Sequence, residues 1–264
     1  MSDAPRVSTP PELLIDVDSV HAICRTFIAD EFKKIGVRNA ILGLSGGIDS
    51  ALVAFLTADA IGADRLRTYI LPYRTSAPSS RADALAVASA LGCSVEEVPI
   101  SAGVDAVEAS LPAGASITPI QRGNIAARMR MITLYHESAR HDGIVMGTGN
   151  KSEAMIGYTT LHGDAACAIN PIGDLYKSQV RALAAHIGVP DAILTKAPSA
   201  DLWPGQTDEG EGGFDYPTLD RILFRLVDQG ASAESVVADG FDQALVARIQ
   251  KMIAASQFKR EMPP

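Results

Sequence analysis

The sequence predicts an α/β fold: a doubly wound parallel sheet with helices on both faces and a helical extension at the C-terminus. Between residues 39 and 147, short apolar runs of strand length alternate with longer runs whose apolar residues recur at helical spacing. Such an alternation indicates βαβ crossovers and hence a parallel sheet. The length of 264 residues suits one large domain, or one domain with a small appendage.

The predicted elements follow one another in a regular order. Residues 1–16 are predicted to be a flexible N-terminus, and residues 17–264 a single domain. The predicted strands are 39–44, 67–71, 94–100 and 143–147, and the predicted helices are 18–34, 49–61, 79–91, 119–141, 217–229 and 242–256. Residues 200–216 are rich in Gly, Asp and Glu and contain the only Trp, which favours a lid loop before a helical C-terminus over 217–264.

The composition limits partners and location. A formal net charge of −8 gives the chain no general attraction for nucleic acid or for an anionic membrane. The three cysteines are widely spaced and form no CxxC pair, which is typical of a reducing compartment. The N-terminus lacks a signal-peptide pattern, and no apolar run reaches the length of a membrane span. We therefore expect a cytoplasmic protein that binds neither nucleic acid nor membrane.

A glycine-containing turn, SGGIDS at 45–50, joins the first predicted strand to the next helix. Glycines there let the backbone approach a phosphate, and the N–H groups and dipole at the helix start attract the anion. Asp49 stands where the kinase-type loop has its lysine. A carboxylate beside phosphates requires a cation between them, and Mg²⁺ is the usual one. The simpler alternative is a glycine turn with a serine helix cap.

Seven stretches of the sequence together resemble one family. They are SGGIDS (45–50), GNIAARMRMITLY (123–135), GTGNKSE (147–153), GYTTLHGD (157–164), NPIGDLYKSQVRALA (170–184), PSADLWPGQTDE (198–209) and FKREMPP (258–264). The first is similar to the signature loop of the ATP pyrophosphatases, and the whole set is similar to the ammonia-dependent NAD synthetases. The resemblance implies an adenine nucleotide alpha-hydrolase-like fold. It also implies a ligase that adenylates a carboxylate with ATP and passes the acyl group to ammonia.

The matched positions imply a set of site residues. ATP would be bound by Gly43, Ser45, Gly46, Gly47, Asp49, Ser50, Thr148, Lys177 and Ser199. The catalytic residues would be Asp49, Glu153, Asp164 and Lys177, and the Mg²⁺ ligands would be Asp49 and Glu153. The acid substrate would contact Arg130, Tyr135, Leu161, Ala168, Phe258 and Lys259. In the family, equivalents of Arg130 and Tyr135 help to bind substrate across a dimer interface, so the resemblance also implies a homodimer.

Three of these side chains would have distinct chemical roles, and each also has a simpler interpretation. Lys177 would stabilise charge in the adenylation transition state, although most helix lysines lie on the surface. Asp164 would hold ammonium and accept its proton, or would only close a turn after Gly163. Glu153 would bind metal, or would only complement the helix dipole.

The departures from the family pattern all lie at the acid substrate. Leu161 stands where the family usually has a lysine, Ala168 where it has a second aspartate, and Phe258 where it has a histidine. Each lost polar partner costs about 1–3 kcal/mol. Two functions therefore stay open: NAD synthesis from deamido-NAD, and amidation of a smaller or less charged carboxylate, with ammonia or another amine. The acidic charge disfavours an RNA-thiolating enzyme, and the intact ATP positions disfavour a non-catalytic paralogue.

Overall fold

The computed structural model describes residues 9–112, 116–197 and 208–261. The strands β1 (Asn39–Gly43), β2 (Leu66–Ile70), β3 (Ser94–Glu97) and β4 (Gly143–Val145) form one parallel sheet in the order β3-β2-β1-β4. The chain winds outward from β1 to β3 and then returns to the far side of β1 for β4. The direction of winding therefore reverses between β1 and β4, and open α/β sheets bind ligands at such a point.

Helices flank the sheet and continue beyond it. They are α1 (Val17–Ile35), α2 (Ile48–Ile61), α3 (Pro78–Leu91), α4 (Ser101–Ala109), α5 (Pro119–Arg140), α6 (Lys151–Ile156), α7 (Lys177–His186), α8 (Asp191–Leu194), α9 (Asp208–Gly212), α10 (Tyr216–Leu223), α11 (Ala233–Ala238) and α12 (Gln243–Ser256). Ala40 and Leu42 of β1 pack in one apolar cluster with α1, α2, α3 and α7. Ile41 and Tyr69 pack in a second cluster with α4 and α5. Because alternate strand residues point to opposite faces, the two clusters confirm the predicted doubly wound sheet.

A third apolar cluster joins the C-terminal helices to α6 and to the start of α7. Ile156 and Tyr176, next to the ends of α6 and α7, pack with Leu219 and Ile222 of α10 and with Ile249 of α12. The helical extension predicted over 217–264 is therefore packed directly against the segments that carry Glu153 and Lys177. None of the helices within the described ranges is long and apolar enough to cross a membrane.

Several predicted boundaries were wrong. The third strand ends at Glu97, not at residue 100, and the predicted helix 217–229 stops at Leu223 and continues as a π-helical turn, Phe224–Asp228. The other predicted strands and helices are shifted by one or two residues at their ends. The helices α4, α6, α7, α8, α9 and α11 were not predicted, because most are too short to show a helical repeat.

Two predicted segments are only partly described. Ser199 and Trp203 lie outside the described residues, as do all positions from 198 to 207. The rest of the predicted lid contains α9 and the buried side chains of Phe214 and Tyr216. At the N-terminus, Leu13 is only 2% exposed and belongs to the third cluster, so tertiary packing begins before residue 17.

Candidate active site

A cavity of about 1010 Å³ opens beside the reversal point of the sheet. Its wall combines the ends of β1, β2 and β4, the 45–50 turn, and side chains from α5, α6, α7 and the 157–164 segment. The volume is at the upper end of the usual range for small-molecule sites. The cavity therefore has room for extended ligands next to the predicted phosphate loop.

The 45–50 turn has a fixed internal geometry. Gly46 has a φ of +76°, and a Cβ there would lie 2.2 Å from the carbonyl oxygen of Ser80, so only glycine fits. The hydroxyl oxygens of Ser45 and Ser50 are 3.0 Å apart, and the amide of Gly47 donates to Ser45 Oγ at 3.2 Å. Because α2 begins at Ile48, directly after the glycines, the positive end of its dipole adjoins the turn.

A buried lysine lies between the two predicted metal ligands. Lys177 Nζ donates to Asp49 Oδ2 at 2.5 Å and to Glu153 Oε1 at 3.1 Å, and its side chain is 3% exposed. Burial raises the pKa of the Glu153 carboxyl, although the Lys177 ammonium opposes that rise. The surface-lysine interpretation is therefore wrong for Lys177, and the structure brings all three predicted residues to one point of the cavity.

Asn150 is a site residue that the sequence analysis missed. It is fully buried, and its Nδ2 donates to Asp49 Oδ1 at 2.9 Å. It also caps α6, because its Oδ1 accepts from the amide of Glu153 at 3.0 Å while Glu153 Oε2 accepts from the amide of Asn150 at 3.3 Å. One residue thus contacts both carboxylates, Asp49 through its side chain and Glu153 through its backbone amide. The pattern Asn-x-x-Glu within GTGNKSE is a capping signal that could have pointed to it.

Asp164 lies in another part of the cavity wall. Its Oδ1 accepts from the amide of Thr160 at 2.7 Å, so the turn-closing interpretation is correct as far as it goes. Although the side chain is open to the cavity, the surrounding wall buries the carboxyl enough to raise its pKa, and the nearby Lys259 opposes that rise. Lys259 Nζ donates to the carbonyl oxygens of Gly157 and Thr159 at 2.8 and 2.6 Å. A carboxyl group and a lysine ammonium therefore interact through their charges in this part of the cavity wall.

The cavity includes most of the predicted ATP and catalytic residues but only part of the predicted acid site. The predicted residues that line it are Gly43, Ser45, Gly47, Asp49, Ser50, Arg130, Thr148, Glu153, Asp164, Lys177 and Lys259. Of the part of the chain described, Tyr135, Leu161, Ala168 and Phe258 are not in its wall, and Phe258 is 60% exposed. Their roles stay predictions. The wall also contains Asn124, Arg81 and Lys196, and of these only Asn124 lies in a recognised motif.

The carboxylates at the cavity suit a hard, water-rich cation. Asp49 and Glu153 supply two converging oxygen donors, and their present partner is itself a cation, Lys177. Across the described ranges, no group of three or more His, Cys, Asp or Glu side chains is placed to hold a metal. Mg²⁺ is usually bound by one or two carboxylates together with substrate phosphates and water, so the donor set fits that ion better than a closed protein cage.

The family is settled by comparison of the whole chain. The model of the NAD synthase family matches residues 20–263. This chain belongs to the NAD synthase family. Within it, the chain is 47% identical over 251 residues to the NH3-dependent NAD+ synthetase of Trichlorobacter lovleyi, covering 95% of this chain and 91% of the relative. The resemblance found in the motifs is therefore confirmed along nearly the full length.

Solved structures of NAD synthase relatives confirm the fold. The NMN synthetase from Francisella tularensis is 31% identical and superposes with a TM-score of 0.84, covering 95% of this chain and 98% of the other. The NH3-dependent NAD synthetase from Campylobacter jejuni is also 31% identical, with a TM-score of 0.81 and coverages of 95% and 99%. As a member of this family, the chain is a carbon–nitrogen ligase with ATP as co-substrate.

Proposed function

We propose that this protein amidates deamido-NAD with ammonia and ATP, releasing NAD⁺, AMP and pyrophosphate. The observation that carries the proposal is the convergence of Asp49, Lys177 and Glu153 beside a phosphate-binding turn, in the same cavity as Asp164. Support also comes from the relatives of 40–47% identity, which are named NH3-dependent NAD+ synthetases.

In the first step, the acid substrate is joined to the AMP portion of ATP. A carboxylate oxygen of the substrate attacks the α-phosphorus of ATP, and the bond to the β-phosphate oxygen breaks, so that pyrophosphate leaves. The 45–50 turn and the start of α2 would hold the phosphates through backbone N–H groups. Lys177, positioned by Asp49 and Glu153, would stabilise the negative charge that builds on the phosphates. Ser199 and Thr148 are the remaining proposed ATP contacts.

Asp49 and Glu153 are the proposed holders of Mg²⁺, and the ion would supply neutralisation of phosphate charge. The ammonium of Lys177 lies against both carboxylates and offsets part of the repulsion between these two acidic side chains.

The second step forms the amide. Ammonia attacks the carbonyl carbon of the acyl-adenylate, AMP leaves with its bonding electrons, and the nitrogen loses a proton. Asp164 is the proposed acceptor of that proton. Its raised pKa makes it a stronger base than an ordinary aspartate, and it lines the same cavity as the phosphate turn.

The quaternary structure, the lid and the location are proposed on separate grounds. The helix α5 exposes Ile120, Ile132 and Tyr135, with exposed fractions of 59%, 54% and 40%, and apolar surface of this kind supports a homodimer. Sedimentation equilibrium would measure the mass directly. A lid over 200–216 and residence in the cytoplasm are parts of the same proposal, as is the absence of nucleic acid and membrane partners.

A second candidate product is NMN, formed from the mononucleotide acid by the same chemistry. Two observations favour it: the structural similarity to the NMN synthetase from Francisella tularensis, and the loss of charged residues at Leu161 and Ala168. A less polar pocket is expected to favour the smaller acid.

One assay decides between the candidates. Purified protein is supplied with ATP, MgCl₂ and ammonium, and with either deamido-NAD or deamido-NMN, while pyrophosphate and the amide product are measured. The proposal requires a higher kcat/KM for deamido-NAD. A higher value for deamido-NMN would select the second candidate. If neither acid yields its amide, both candidates are rejected.

A further inference from the structure

Asp220 is a fully buried carboxylate that lies outside the wall of the large cavity. It belongs to α10, in the C-terminal helical extension, and its exposed fraction is 0%. Burial raises the pKa of this carboxyl, while hydrogen bonds from Ser152 and Ser178 oppose the rise. A buried carboxylate is costly to retain unless its oxygens are satisfied, so its partners indicate its role.

The partners of Asp220 lie in the first turns of two helices, α6 and α7. Oδ2 accepts from both the amide and the hydroxyl of Ser178, at 2.8 and 2.7 Å. Oδ1 accepts from Ser152 Oγ at 2.5 Å, and Ser152 Oγ in turn accepts from the amide of Lys177 at 2.9 Å. Asp220 therefore satisfies the amide of Ser178 directly and orients the Ser152 hydroxyl that accepts from the amide of Lys177. These two amides begin α7 and have no partner within their own helix.

The same contacts also fix α6. Ser152 lies between Lys151 and Glu153, so one carboxylate is tied to both helices whose side chains converge on Asp49. Neither helix start is far from the site: Lys177 Nζ reaches Glu153 at 3.1 Å and Asp49 at 2.5 Å. A shift of either helix start would move a group that contacts the phosphates in the proposed reaction.

We propose that Asp220 is a positioning residue for adenylation, which holds the starts of α6 and α7 so that Glu153 and Lys177 meet beside the phosphate turn. The inference rests on the proposed function, because it assigns Lys177 to the adenylation step. The C-terminal extension then has a function, because its helix α10 carries the carboxylate that orients the ATP half of the site.

The first test replaces Asp220 with asparagine, which keeps the size but supplies one acceptor oxygen in place of two. In Asp220→Asn we expect kcat to fall by about 10- to 100-fold, since displacements of about 1 Å can cost that much, while KM for the acid changes less than about threefold. The control is Asp242→Ala, which removes the N-cap of α12. Asp242 Oδ1 accepts from the amide of Leu245 at 2.8 Å, and this bond does not involve α6 or α7. It should lower thermal stability and leave kcat within about twofold.

A double-mutant cycle separates positioning from a purely structural role. If Asp220 acts partly through Lys177, then the loss of kcat caused by Asp220→Asn should be smaller in a Lys177→Met background than in the unmodified protein. An equal loss in both backgrounds, or a kcat in Asp220→Asn within about twofold of the unmodified protein, would overturn the proposal. Should Asp220→Asn fail to fold, Ser152→Ala takes its place in the same cycle, with the same criteria. If the unmodified protein itself makes no amide, the proposed function has failed rather than the role of Asp220.

Discussion

Two groups of residues at the cavity are built in different ways. The phosphate end consists of the 45–50 turn with Glu153 and Lys177, and the acid end consists of Asp164 and the residues proposed to contact the acid substrate. At the phosphate end, a contiguous turn and three charged side chains form one bonded unit, in which Asn150 and Lys177 each contact both Asp49 and Glu153. At the acid end, the candidate residues come from α5, the 157–164 segment and the C-terminal turn, and several lie outside the cavity wall. We therefore expect the activation chemistry to depend on a tightly connected set of groups, and substrate choice to depend on residues that can change one at a time.

The largest effect is expected at the phosphate end. Asp49→Ala removes a partner of Lys177 and a proposed metal ligand, so kcat should fall by about 10²-fold or more. Asp59→Ala is the matched control, because Asp59 lies on the same helix and pairs at the surface with His21. Pyrophosphate release with saturating ATP measures both. A near-normal rate in Asp49→Ala would contradict the assignment of this carboxylate to the site.

The phosphate turn can be tested by comparing two glycines. At one, an added Cβ would only strain the backbone, and at the other it would also collide with a neighbouring residue. Gly46 and Gly36 have φ values of +76° and +81°, but only at Gly46 would a Cβ meet protein, at 2.2 Å from Ser80 O. Gly36→Ala should cost about 1–3 kcal/mol of unfolding free energy and leave activity intact. Gly46→Ala should cost more and also weaken ATP binding. Denaturant unfolding and ATP titration give the two readouts, and equal behaviour of the two variants would mean that the turn does not need close approach.

The residues of the phosphate end could be predicted from the sequence more readily than the residues that hold them in place. SGGIDS is contiguous, so its spacing alone indicates a phosphate turn, and the family resemblance added Glu153 and Lys177. Asn150 and Asp49 are 101 positions apart, and Lys177 and Asp49 are 128 apart, so their contacts depend on the tertiary fold and not on any local pattern. For the same reason, Asp220 could not be recognised as a partner of Ser152 and Ser178. The spacing of apolar residues predicted its helix but not what the helix contacts.

The acid end offers a test of substrate choice. The double variant Leu161→Lys with Ala168→Asp restores the charges usual in the family, and we expect it to raise kcat/KM for deamido-NAD relative to deamido-NMN by about tenfold, the size of one recovered polar contact. The two positions are tested together because neighbouring substitutions couple. Tyr135→Phe is a useful companion, since Tyr135 is proposed to contact the same substrate. An unchanged ratio would show that these positions do not select the acid.

The smallest expected effect concerns pH. The carboxyl of Asp164 has a raised pKa because of burial, and the positive charge of Lys259 opposes that rise. Lys259→Met removes the opposing charge, so the pKa should rise further and the acid limb of the ammonia-dependent rate should move to higher pH by less than about one unit. Rates are compared at a fixed concentration of neutral ammonia. A shift to lower pH would contradict the role of Asp164 as proton acceptor.

The proposed ATP-activating end and the proposed acid end together would produce NAD⁺ from deamido-NAD. The most direct measurement is the kcat/KM of the unmodified protein for deamido-NAD, with NAD⁺ and pyrophosphate quantified in the same reaction. We expect equal amounts of the two products, dependence on ATP, Mg²⁺ and ammonia, and an efficiency of about 10⁴ M⁻¹s⁻¹ or better, as for ordinary enzymes. Pyrophosphate release that is unaffected by deamido-NAD, but is stimulated by another carboxylate, would contradict the claim.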